Sequence, residues 1–136
     1  MSTTFEPDAR SVRIPVFLRG PRSEYKFRFI IDTGATQTCI RPEYLQRLGV
    51  DLDRPAGRTR IRSATGGAQV PLFRVSSVVA LDHTRDDFLI AAQDFPVSVA
   101  ADGLLGLDFY RGFILKLDFA HGRASLAVPS RWRFWR

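Results

Sequence analysis

The stretch Phe29-Ile30-Ile31-Asp32-Thr33-Gly34-Ala35-Thr36 runs three large apolar residues into an aspartate and then into Thr-Gly-Ala. The apolar run predicts a strand entering a core. Asp32 then stands where loss of water penalises a charge, so its carboxylate needs donors. A hydroxyl at Thr33 and a tight turn at Gly34 are suited to supply them. The same residues also fit an ordinary strand that ends in an Asp-containing turn. The stretch alone leaves both readings open.

Outward from this stretch the chain reads as short strands broken by turn signals. Val12 to Leu18 and Tyr25 to Ile31 predict a hairpin around Gly20-Pro21-Arg22-Ser23. Gln37 to Ile40 reads as a further strand. Pro42 suits the first turn of a short helix, Tyr44, Leu45 and Leu48 share one face of it, and Gly49 ends it. Arg58 to Ala64 and Gln69 to Ala80 alternate as strands, with Thr65-Gly66-Gly67 between them, and Phe88 to Ala91 is a short strand. Phe113 to Phe119 and Ala124 to Val128 form a last pair across Ala120-His121-Gly122-Arg123. Regular short strands with little helix predict an all-β sandwich or barrel.

The 136 residues, 45% of them hydrophobic, fit one domain with a real core, residues 1–136, with about 129–136 as a C-terminal tail. No apolar run reaches the roughly 20 residues of a membrane helix. The first residues lack an apolar export core, and a lone Cys39 makes no internal disulfide, so the expected compartment is the cytoplasm. The net charge is +6, and only Lys26 and Lys116 among the basic residues are lysines. The arginines are scattered, so nucleic acid is not the expected partner. They concentrate only in Arg131-Trp132-Arg133-Phe134-Trp135-Arg136, which fits base stacking, a membrane surface or a terminal strand. Cys39 reads as core, and His83 and His121 as exposed loop residues without metal-site spacing; no metal and no cofactor is expected.

A second stretch, Gly103-Leu104-Leu105-Gly106-Leu107-Asp108-Phe109, follows late in a chain that carries Asp-Thr-Gly early. With Phe29 to Ala35 and the glycine hairpin Ser63-Ala64-Thr65-Gly66-Gly67, it resembles the retropepsin-like aspartic proteases, from about Val12 to about Val128. The resemblance implies a small closed β-barrel with one or two short helices. It implies an aspartic endopeptidase in which Asp32 is the catalytic carboxylate, Thr33 bonds across a dimer axis, and Gly34 lets a backbone N–H reach the carboxylate. Ala35 and Leu105 would join the substrate site. Thr65, Gly66 and Gly67 would form the tip of a flap over the substrate. Leu104-Leu105-Gly106 would pack beneath the active loop.

Aspartic chemistry needs two carboxylates, and this chain has one Asp-Thr-Gly, so the expected partners are a second copy of the chain and a peptide or protein substrate. The expected interface lies around Val12 to Val16 and Ala124 to Val128. A catalytically weak module binding extended peptides is the alternative. Thr36, Gln37 and Thr38 stand where retroviral members place acidic residues, and Leu107-Asp108 where they place an arginine. Asp108 is expected to cap a helix near Phe109, with Arg41 or Arg111 as alternative partners.

Overall fold

The computed structural model describes residues 2–63 and 66–130, so Thr65 and the aromatic tail 131–136 lie outside the described residues. Twelve elements follow one another: β1 Thr3–Thr4, β2 Arg13–Arg19, β3 Glu24–Ile31, β4 Cys39–Ile40, α1 Pro42–Arg47, β5 Gly57–Ser63, β6 Gly66–Ala80, β7 His83–Ala92, β8 Gly103–Leu105, α2 Leu107–Tyr110, β9 Ile114–Asp118 and β10 Arg123–Ala127. The larger sheet runs β2-β3-β8-β4-β7-β6-β5, and β2 also pairs with β6. That last pairing, Phe17 with Val79 and Leu18 with Val78, closes six strands into a barrel. β5 remains outside the ring as the free arm of a hairpin with β6.

The period of two in the sequence decides which side chains fill the barrel. Ile14, Val16 and Leu18 of β2 are fully buried, and so are Phe27 and Phe29 of β3 to within a few per cent. The register sets Ile14 against Phe29 and Val16 against Phe27, so both strands present the same face inward. Phe73 and Val75 of β6 and Ile90 of β7 complete this core, and Leu45 and Leu48 close it from α1. Gly49 ends that helix at a positive φ of 85°.

The feature that shapes the site is β8. It runs parallel to β3, with Ile31 beside Leu105, and antiparallel to β4, with Cys39 beside Leu104. The segment 32–38 therefore leaves β3, passes over the end of β8 and returns along its other side. Such a crossing brings backbones very close. A Cβ on Gly103 would stand 2.5 Å from the Cys39 carbonyl oxygen and 2.6 Å from the Phe29 ring; one on Gly106 would stand 2.7 Å from the Ala35 oxygen. Glycine is needed at both places because nothing larger fits.

Several local readings need correction. Gly66 and Gly67 are strand residues, paired with Ser63 and Arg62, rather than the apex of the hairpin. β7 is ten residues long, because Leu81 and Asp82 make a two-residue connection with φ of 52° and 63°. No glycine announces that turn; burial of Leu81 holds it. His83 lies in β7, not in an exposed loop. Its Nε2 is 2.6 Å from the Leu126 oxygen and its ring packs on Phe113. His121 is exposed and faces Asp118. Thr3 and Thr4 form an unanticipated strand on β10, giving a separate sheet in the order β1-β10-β9. Part of the β10 edge offered to a partner is thus covered by the chain itself.

Replacing Gly103 with Ala should cost about 1–3 kcal/mol, because the new methyl meets backbone and an immobile ring. Gly57→Ala, whose Cβ would lie 3.9 Å from its nearest neighbour, should change stability by less than about 0.5 kcal/mol. Urea unfolding of both variants checks the contrast; equal effects would show that the crossing is looser than described.

Candidate active site

Asp32 is the first residue beyond β3, half-buried at the end of the barrel. Its backbone N–H donates to the Leu105 oxygen at 3.0 Å, which continues the β3–β8 ladder by one step. Its carbonyl accepts from the Ala35 N–H at 3.1 Å, and its Oδ1 accepts from the Gly34 N–H at 3.0 Å. A Cβ at Gly34 would lie 3.2 Å from that same Oδ1. The tight turn thus aims a donor at the carboxylate, and a side chain there would crowd it. Thr33 and Gly34 are both exposed beside Asp32.

Beneath this turn lies a polar network that the sequence did not suggest. Thr38 is fully buried. Its hydroxyl accepts from the Gly106 N–H at 3.0 Å and donates to Asp108 Oδ1 at 2.6 Å. Its own N–H donates to the same carboxylate at 3.0 Å, and Gln37 Nε2 reaches Asp108 Oδ2 at 2.8 Å and the Leu89 oxygen at 3.0 Å. Asp108 therefore neither caps α2 nor pairs with Arg41 or Arg111; Gly106 is the residue before that helix and offers no side chain. The carboxylate instead satisfies the N–H of Thr38, and β4 begins at Cys39, two residues later than the sequence reading places it. Two further bonds, Leu107 N–H to the Ala35 oxygen at 2.8 Å and Tyr110 hydroxyl to the Leu105 oxygen at 2.9 Å, tie α2 to both sides of the crossing.

Burial sets the electrostatics of this layer. It pushes the Asp108 carboxyl above its ordinary 3.8, even though Thr38 and the helix backbone pull in the other direction. It pushes the Cys39 thiol up to about 11, helped by the nearby Asp32 and Asp108 carboxylates. Cys39 is thus a neutral core thiol, not a nucleophile. The Tyr110 hydroxyl is raised for the same first reason and stays a donor.

A cleft of about 540 Å³ opens above Asp32. Gly34, Ala35, Thr36 and Gln37 form one side with Leu104 and Cys39 in its floor, Gln93 stands at the edge, and Thr59, Arg60 and Ile61 of β5 line it from the hairpin side. Ala35 is accordingly at the cleft, as the resemblance implies. Leu105 is not: it is fully buried, and its neighbour Leu104 faces the cleft. Gly67 is not among the described lining residues either. Thr59, Arg60, Ile61 and Gln93 were missed. Alternation along β5 marks Thr59 and Ile61, but nothing local marks Gln93.

A second, mainly apolar hollow of about 590 Å³ lies on the other side of Asp32, with Val12, Ile30, Phe95, Val99, Leu117 and Phe119 among its walls. The 95–101 loop in that wall is held by Arg41, which donates to the carbonyls of Phe95 at 2.7 Å and Val99 at 3.0 Å and stacks 4.2 Å above the Phe95 ring. Among the described residues no three His, Cys, Asp or Glu gather in a metal-binding group, and no helix is long and apolar enough to cross a membrane.

The half-exposed Asp-Thr-Gly turn thus crosses a glycine-flanked strand beside a hairpin-lined cleft. Residues 15–109 match the aspartyl protease family model, and the chain belongs to that family, as an aspartic-type endopeptidase. No curated protein matches the chain. A solved retropepsin-like aspartic protease from Rickettsia conorii is similar over 93% of this chain and 88% of that one, at 20% identity and a TM-score of 0.68. The solution structure of the simian foamy virus (mac) protease is similar over 71% of this chain and 88% of that one, at 18% identity and a TM-score of 0.47. The fold is retropepsin-like.

The Asp108 shift predicts a pH signature. A folded-state carboxyl that holds its proton more tightly than the unfolded one stabilises the fold at acidic pH. That contribution is lost as pH rises from about 4 through the raised value. Asp108→Asn removes an acceptor at every pH, and it should also flatten this particular decline. The check is unfolding free energy against pH for both proteins: a difference between them that stays constant with pH would show that Asp108 does not titrate anomalously.

Proposed function

We propose that this chain hydrolyses peptide bonds by means of a water molecule activated between two copies of Asp32, one from each subunit of a homodimer. The observation that carries the reading is that Asp32 is the one carboxylic acid among the residues lining the cleft. Two carboxylates at contact distance share a proton, since both cannot ionise cheaply so close together. The ionised member accepts a proton from water as its oxygen attacks the scissile carbonyl. The protonated member donates to the carbonyl oxygen, giving a neutral tetrahedral diol. Collapse of that intermediate expels the amine, which takes up a proton from the dyad.

Among the described residues the cleft of a single chain holds no second acid, and the surroundings of Asp32 suit its supply by a two-fold mate. Thr33 and Gly34 are exposed next to it. The hollow on that side is mainly apolar, Phe119 in its wall is 55% exposed, and Val97, between the wall residues Phe95 and Val99 in sequence, is 91% exposed. A second copy would cover this surface and remove its water, which strengthens every charge effect at the dyad. Thr33 is then placed to bond across the axis, while the β5–β6 hairpin lies over the substrate. The peptide would run between hairpin and floor, with Ala35 and Leu104 beneath it.

Cleavage of a peptide library should depend on Asp32, so Asp32→Asn should lower kcat by at least about a thousandfold while the far-ultraviolet spectrum stays native. Full activity in that variant would remove the reading. The pH profile should be a bell whose limbs belong to the pair. Specific activity should also fall on dilution, in step with a change from twice the chain mass to once the chain mass in sedimentation. A monomer active at every concentration would defeat the shared dyad.

A further inference from the structure

The residues that line the cleft include one acid, Asp32 on the floor, and one base, Arg60 on the hairpin. The other polar lining residues, Thr36, Gln37, Thr59 and Gln93, are neutral, and Cys39 is a buried thiol. Arg60 is exposed on β5 opposite Gln69, and it makes no ion pair among the described residues. Its side chain extends across β6 over Gly67: a Cβ there would stand 3.4 Å from both Arg60 Cγ and Nη1. The bare backbone of Gly67 thus leaves a track for the long side chain. Asp108 is engaged by Thr38 and Gln37 and does not line the cleft.

A guanidinium with five donors and no acidic partner seeks a carboxylate. A peptide passing between hairpin and floor brings its own side chains within reach of that group. We infer that Arg60 is a specificity-determining residue, which selects substrate peptides carrying an ionised Asp or Glu close to the scissile bond. This rests on the peptidase reading above. In a two-fold dimer each hairpin contributes one Arg60, so the preference applies on both sides of the scissile bond. The contact is solvent-exposed, so its effect is modest and falls with salt.

The test uses two synthetic peptides, identical apart from Glu or Gln beside an apolar centre, at about pH 6, where Glu is ionised. Wild-type protein should show a kcat/KM about threefold higher for the Glu peptide at low salt, with the ratio approaching one at about 1 M salt. Arg60→Gln should bring the ratio to about one at all salt concentrations, and Arg60→Glu should favour a Lys peptide instead. Fluorescence anisotropy of the same labelled peptides on Asp32→Asn protein separates recognition from turnover. A Glu preference in binding that disappears on adding Arg60→Gln supports the assignment even if no peptide is cleaved, an outcome that would count against the peptidase reading alone. No Glu preference in wild-type protein, or one that survives Arg60→Gln, overturns it.

Discussion

Everything at the active end of this molecule depends on one backbone crossing. β8 is inserted between β3 and β4, and the loop that carries Asp32 has to arch over its end. The crossing is possible because Gly103 and Gly106 present no side chain to Phe29, Cys39, Ala35 or Gln37. Once the strands are that close, the Asp32 N–H and the Leu105 carbonyl find one another, and the loop has little freedom left. The apolar run before Asp32 belongs to the same device. Phe29 and Ile31 anchor the strand in the core, so the aspartate is delivered to a fixed height at the barrel mouth.

Two carboxylates stand close to this crossing and their surroundings give them different work. Asp108 is turned inward and accepts from Thr38 twice and from Gln37 once, so its bonds are spent on holding the loop. A half-buried acid with so many local donors is a structural clamp, and removing its partners would leave a costly unsatisfied group. Asp32 receives one backbone N–H on Oδ1 and turns outward to the cleft. Its remaining capacity is free for water, substrate or a second carboxylate. The polar layer below thus supplies rigidity, and the sparse bonding of Asp32 leaves it available for chemistry.

The barrel is complete within one chain, whereas the activity proposed for it asks for a second copy. Six strands close on themselves through β2 and β6, so folding asks for no partner. The surface beside Asp32 is different: an apolar hollow adjoins exposed Thr33 and Gly34. A protein divided in this way can be stable alone and yet draw its activity from association. The hairpin has a comparable independence, since among the described residues β5 pairs only with β6 and lies outside the closed ring.

Much of this was legible in the sequence, because it follows from local pattern. Alternation of Ile14, Val16 and Leu18 determined which face of β2 is buried, and Pro42 and Gly49 bounded the helix. Asp-Thr-Gly after an apolar strand, with Gly-Leu-Leu-Gly later, marked the fold and put Asp32 forward as the candidate carboxylate. What remained illegible depended on register and on contacts between distant residues. Leu104 and Leu105 are chemically identical, and only pairing with β3 turns one to the cleft and the other to the core. Seventy residues separate Thr38 from Asp108, so no window of sequence reveals that a buried hydroxyl waits for that carboxylate. The turn at Leu81-Asp82 has no glycine, and His83 looked exposed until Phe113 was packed against it. Local periodicity is written in side-chain chemistry and can be read directly. Which side chain meets which across a closed barrel is decided only when the strands choose their partners.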